Sequence, residues 1–219
     1  LGFERGEAPW GLKGAEPPSE KIDLQNLTWF FVASLFHYFS FLILSYKSIM
    51  SVSTTDALDV FPSGSWTLYF HDPEDSTWTP DSYKKIGSFS SFTTLWGVLK
   101  RVEGDRFISG MYFLMKDPYL PLWEHRSNIH GGSYCVKVSE AAAQETFQRY
   151  IAAAILGLVV SDPKNEIIGV TISPKKGFHI MKLWNLSSKL YNKAEEVHLY
   201  GDGMKAADVL YRPHVDQKM

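Results

Sequence analysis

Cysteine is nearly absent from the 219-residue chain: Cys135 stands alone, which excludes an internal disulfide. No group of Cys and His residues has metal-ligand spacing either, so neither a metal nor another cofactor is expected, and a reducing cytosol is the simplest compartment. An excess of charge is also missing, since 22 Lys and Arg face 24 Asp and Glu. That balance argues against a broad basic surface gripping many phosphates, so any nucleic-acid contact should be small and local. No P-loop, G-x-S-x-G, H-E-x-x-H or paired-carboxylate arrangement supports an enzyme, and none is expected. There is no internal repeat and no low-complexity segment. What the chain does have is aromatic residues, 15% of the total with seven tryptophans.

Residues 1–49 differ from the rest. "LTWFFVASLFHYFSFLIL", residues 27 to 44, is 18 residues long, uncharged and rich in phenylalanine. It qualifies by length as a transmembrane candidate, at the short end of a bilayer span. Ser34, His37 and Ser40 interrupt it, and it lacks the charged start and cleavage site of a signal peptide. Phe, Ser, Leu and Tyr have largely pyrimidine-rich codons, which favours a translated leader in an over-extended gene model. A genuine anchor and a peptide folding onto the domain are the other readings. Residues 50–219 are then the working domain, one domain with room for a core.

Along that domain "SWTLYFH" (65–71) alternates as a half-buried strand, and "DPEDSTWTPDS" (72–82) is a loop around Trp78. A helix is expected over 90–102 behind serine caps, then strands over 110–116 and 133–138 with the loop "PLWEHRSNIHGG" between them. Ser139 can cap a long helix, strands follow at 166–172 and 178–184, and Ser187 opens a third helix ending near Gly201. A last strand covers 207–214. Paired strands with single helices between them predict an α+β fold with an antiparallel sheet and helices on one face.

Trp78 and Trp123 both fall in loops, where binding residues concentrate. Two flat faces can hold a flat ligand, each worth roughly 1–3 kcal/mol, more if the ring is cationic. Glu124, acceptor-only when ionised, selects a ring edge with adjacent N–H donors such as N1 and N2 of guanine. Lys175, Lys176 and Lys182, around the turn in "SPKKGFHIMK", offer an anion site. Singly, each has a plainer reading: a solvated lysine pair, a solvated carboxylate, a core tryptophan. Trp66 and Phe70 read as core, and His71, His125 and His130 as loop histidines. Together the loop residues describe a pocket for a positively charged guanine carrying phosphates.

The segments "WTLYFHDPEDSTW", "FTTLWGVL", "GMYFLMKDPYLPLWEHRSN" with "GG", "IIGVTISPKK" and "IMKLWN" resemble the eukaryotic translation initiation factor 4E family, the messenger-RNA cap-binding subunit, over about residues 60 to 214. The resemblance implies a strongly curved antiparallel sheet of about eight strands, three helices on its convex face and a cap cleft on its concave face. It implies that Trp78 and Trp123 stack on 7-methylguanine, that Glu124 takes its N–H edge, that Trp184 touches the N7-methyl and that Lys175 meets the phosphates. Departures are visible too. Ser133 and Tyr134 stand where the family has an arginine and a tryptophan, and Ile180 where it has a phosphate-binding lysine, with Lys182 two residues on. Weaker phosphate contacts are therefore expected.

The resemblance also implies a partner surface for a helical peptide of the type Tyr-x4-Leu-Φ, Φ being hydrophobic, carried by an initiation scaffold or a repressor. Phe61, Pro62, Phe92 and Trp96 match it, while Tyr150 and Ala153 replace an acidic residue and a leucine. The implied role is a cytoplasmic cap-binding protein that recruits a scaffold for translation initiation. A repressor-type paralogue is the first alternative, a cap hydrolase finds no motif to support it, and a membrane-tethered interaction protein depends on residues 27–44.

Overall fold

A computed structural model describes residues 59–102, 104–201 and 203–215. The expectations for residues 1–49, including the hydrophobic run and the membrane-tethered reading built on it, lie outside these residues. Among the described residues no helix is long and apolar enough to cross a membrane.

Seven strands form one sheet: β1 Trp66–His71, β2 Lys84–Phe89, β3 Met111–Lys116, β4 Gly132–Ser139, β5 Ile167–Lys175, β6 Phe178–Asn185 and β7 Val209–Pro213. Their order is β2-β1-β3-β5-β6-β4-β7, and every pairing is antiparallel. The sheet is curved and open. Among the described residues three α-helices accompany it, α1 Phe92–Leu99, α2 Asp105–Ile108 and α3 Glu140–Ile155. The predicted α+β class holds, with seven described strands rather than about eight.

Strand alternation divides the residues between two faces. Tyr134, Val136, Val170, Ile172, Met181 and Leu183 are buried on one face, where α3 packs against β4, β5 and β6. Phe107 of α2 joins that layer, its ring 5.7 Å from Phe147 of α3 and 5.5 Å from Tyr112 of β3. The opposite face carries a second cluster of Met111, Phe113, Met115, Ile168 and Trp184. That cluster is the floor of the site described below.

The helix ends follow local chemistry. Ser91 caps α1, its hydroxyl accepting the Thr94 N–H. Ser139 does stand at the N-cap of α3, but its side chain makes no capping bond. The far end of α3 closes through Gly157 at φ 70°. The N–H groups of Gly157 and Leu158 donate back to Ala154 and Ala153, a Schellman arrangement that needs the left-handed glycine.

The helix predicted from Ser187 to near Gly201 is absent; only the short 3-10 turn Ala194–Glu196 forms there. The backbone of this segment bonds outward instead. Ser188 N–H donates to His130, His198 N–H to Val159, and Glu196 accepts from Ser161. Tertiary partners thus outweigh helical propensity. The segment covers α3: the Tyr150 hydroxyl donates to the His198 carbonyl at 3.0 Å, and the Tyr150 and Tyr200 rings meet edge to face at 5.2 Å. Tyr150 and Ala153 are consequently fully buried, which corrects their assignment to a partner-binding surface. Strand β2 had no clear sequence signal because it is an edge strand whose first three residues are exposed.

Candidate functional site

Trp78 projects from the loop after β1. The Asp72 carboxylate accepts the Glu74 N–H and the Asp75 carboxylate accepts from both the N–H and the hydroxyl of Thr77. These bonds hold Asp75 below the usual carboxylate range, the hydroxyl contributing most. Beneath the loop lies His71, the last residue of β1 and fully buried, which corrects its reading as a loop histidine. Its ring nitrogens are 2.8 and 2.9 Å from the carbonyl oxygens of Asp72 and Thr77. Its ring lies parallel to Trp78, with centroids 4.2 Å apart. Tyr83 leans on both rings and, edge on, against Phe113.

Trp123 and Glu124 sit on the loop between β3 and β4. Asn128, fully buried, shapes this loop by donating to the carbonyls of Leu120 and Leu122 at 2.7 and 2.8 Å. The loop then enters β4 through two glycines that approach other backbone closely. A Cβ on Gly131 would lie 2.0 Å from the Asn185 carbonyl oxygen, and one on Gly132 would lie 2.2 Å from the Tyr211 hydroxyl.

Trp78 and Trp123 are 49% and 46% exposed, in a chain whose Trp66 and Trp184 are buried. Both line one cleft of about 330 Å³ together with Glu124, Lys182, Trp184, Tyr83 and Phe113. The buried Trp184 forms part of the wall, and its indole N–H has no partner. Its ring meets His214 edge on at 4.7 Å. Burial, and secondarily the Glu124 charge, push the Tyr83 phenol up to about 12, so it stays a neutral donor. Pro121, Thr171 and Ser173 complete the lining.

The structure therefore brings together Trp78, Trp123, Glu124, Trp184 and Lys182. Lys175 and Lys176 are exposed at the β5–β6 turn and are not part of the cleft lining. Lys175 is four residues along β5 from Thr171, about 13 Å. Tyr83, Thr171 and Ser173 are lining residues the sequence reading missed. The polar Thr and Ser of an otherwise apolar strand, two residues apart on one face, were the available signal.

On α1, Phe92 and Trp96 are half-exposed with rings 6.3 Å apart, Pro62 is exposed, and Phe61 is buried against Phe92 at 4.8 Å. Of the sequence-predicted partner residues, the accessible ones are Pro62, Phe92 and Trp96.

The sheet thus carries α2 and α3 on one face and an aromatic cleft on the other. The family model described as eukaryotic initiation factor 4E matches residues 63–216, and the chain belongs to that family. The eukaryotic translation initiation factor 4E of Dictyostelium discoideum is 26% identical over 162 residues, 69% of this chain and 63% of that protein. The Saccharomyces cerevisiae factor is 24% identical over 129 residues, 56% of this chain and 60% of that protein. The chain thus spans about three fifths of the length of these relatives. Among solved structures, Ascaris suum eIF4E-3 with an m7G cap is similar with a TM-score of 0.57 and 18% identity, covering 74% of this chain and 94% of that one. The Caenorhabditis elegans eIF4E-3 complex with the 4E-binding protein Mextli and a cap analog is similar with a TM-score of 0.52 and 16% identity, covering 59% and 75%. At these identities the structures establish the fold.

Proposed function

We propose that this chain binds the 7-methylguanosine cap of messenger RNA. The observation that carries the reading is the convergence of two half-exposed tryptophans and one carboxylate on a single cleft. Methylation at N7 gives the guanine a positive charge, and a cation is attracted to an indole face. Each stacked face contributes roughly 1–3 kcal/mol. Glu124 accepts from the N1 and N2 donors, an edge that adenine lacks. Cap and cap-analog complexes of the Ascaris and Caenorhabditis relatives support the same reading.

The protein acts by binding and has no catalytic role, in the cytoplasm, as a translation initiation factor. Its partner is a scaffold or 4E-binding repressor whose amphipathic helix lies on Pro62, Phe92 and Trp96, an aromatic anchor of the kind that dominates such contacts. Burial of Tyr150 and Ala153 narrows that surface. Capture on immobilised 7-methylguanosine triphosphate, with elution by the methylated but not the unmethylated nucleotide, tests the cap assignment. Equal elution by both would overturn it.

A further inference from the structure

The cleft holds one cation, Lys182, yet a capped end carries a chain of phosphates. Strand register shows which other cations share its face. Ser133 of β4 pairs with Trp184 of β6 on one side and with Arg212 of β7 on the other. Residues paired directly across neighbouring strands share a face. Arg212 is therefore on the cleft face, and so are Lys182 and Leu210, which flank Cys135 in the next such row. Two strand spacings and two residues of rise put the Cα atoms of Lys182 and Arg212 about 12 Å apart, within reach of a shared anion for two long side chains. Burial pushes the Cys135 thiol up, while Lys182 and then Arg212 pull it down, so both charges are felt at this point between them.

Strand charge on this face has one sign. Its strand residues are Thr171, Ser173 and Lys175 on β5, Ser133, Cys135, Lys137 and Ser139 on β4, Phe178, Ile180, Lys182 and Trp184 on β6, and Leu210 and Arg212 on β7. The one carboxylate of the cleft, Glu124, comes from a loop. Among the described residues neither Lys182 nor Arg212 is in an ion pair. Lys137 lies over the Phe178 ring at 4.3 Å and extends the basic run away from the cleft. Lys175, paired with Phe178, continues that run at the hairpin end of β5, four residues and about 13 Å from the Thr171 that pairs with Lys182.

We infer that Arg212, with Lys182, is the phosphate-binding pair of this protein, and that the oligophosphate leaves the cleft across β4 toward the edge strand β7. The inference rests on the cap-binding reading. Arg212 is exposed beside the His214 ring that covers Ser133 and Trp184, and its long side chain can extend over that ring to offer its fork of donors to phosphate oxygens.

The test measures affinity of the full chain for 7-methylguanosine and for 7-methylguanosine triphosphate across a salt series. Arg212→Gln should weaken triphosphate binding roughly 3- to 10-fold, between the effect of an exposed ion pair and that of a hydrogen bond to charge. It should leave the nucleoside unchanged and lower the salt slope by about one. Arg212→Lys should recover part of the loss, and Lys175→Gln with Lys176→Gln should change little. Unchanged triphosphate affinity in Arg212→Gln, or an equal loss for the nucleoside, would overturn the pair. Failure of the unmodified chain to bind the methylated nucleoside would instead refute the cap reading itself.

Discussion

His71 lies flat under Trp78, with ring planes within 6° and centroids 4.2 Å apart. One face of the exposed indole is thus already occupied by protein, and only the other is open to a ligand. The imidazole also spans the ends of the Trp78 loop through Asp72 and Thr77. It fixes both the tilt and the height of the stacking plane, which is what a ligand sandwiched against Trp123 requires.

His71→Ala should therefore weaken 7-methylguanosine triphosphate binding although the ligand never touches residue 71. An aromatic pair is worth about 0.5–1.5 kcal/mol, which corresponds to a loss of roughly 2- to 12-fold. His71→Phe keeps the flat contact but loses the bonds to Asp72 and Thr77, and should recover only part of that loss. Fluorescence titration reads both variants, and a folded His71→Ala protein with full affinity would remove His71 from the site.

The loop bearing Trp123 depends on Asn128. Asn128→Ala would leave the carbonyls of Leu120 and Leu122 without their donor in a partly buried setting. An unsatisfied buried group costs about 1–3 kcal/mol. Thermal unfolding should show a lowered Tm, and the remaining folded protein should bind cap nucleotide less well. Asn128→Asp offers oxygens to those same carbonyls and should be at least as damaging. A variant that loses neither stability nor binding would show that the loop is held by other contacts.

Gly131→Ala tests the close approach at the start of β4. Its new methyl would face a backbone oxygen at 2.0 Å, so no side-chain rotation can relieve the clash. Destabilisation should reach or exceed about 3 kcal/mol, the upper end for overpacking. Gly64→Ala makes a useful contrast: nothing lies within 4 Å, and its cost should come from φ 87° alone. Urea unfolding of both variants ranks them, and equal losses would mean that strand β4 shifts freely.

Much of this was legible in the sequence, for physical reasons that can be named. Alternation in "SWTLYFH" located β1 because one face of it is buried, and the Pro and Gly that bracket Trp123 marked a loop because neither residue suits a strand interior. Trp78, Trp123 and Glu124 stood out by sitting together in such loops. The segment 187–200 was misread because its backbone is satisfied by distant carbonyls and N–H groups that no local pattern reveals. Tyr150 and Ala153 were misplaced for the same reason: the covering segment makes them core. The basic residues illustrate a third limit. Lys175 and Lys176 are adjacent to the site in sequence, whereas Arg212 comes within reach only through the register of β4 with β7.

A last prediction concerns His214, which joins the C-terminal strand to both walls of the cleft. Its Nδ1 lies 2.7 Å from the Asn128 carbonyl and therefore donates, leaving Nε2 to accept from the Ser133 hydroxyl at 3.0 Å. The neutral ring is thus fully satisfied, edge on to Trp184. Burial lowers its pKa below the ordinary 6.5; the Asn128 carbonyl opposes this, Lys182 adds to it and Glu124 opposes it. A histidine with a lowered value in the folded state binds its proton first in the unfolded chain. Stability therefore rises with pH across the interval between the folded value and 6.5 and is lost as pH falls through it, levelling off below the folded value. The variant His214→Gln, which cannot titrate, lacks this component. The Tm advantage of the unmodified protein over His214→Gln should shrink as pH is lowered from 7.5 to 5.5, with the other histidines cancelling in the difference. An advantage that grows on acidification would mean that the folded state prefers the charged ring, and that the Ser133 contact is made by a donor nitrogen.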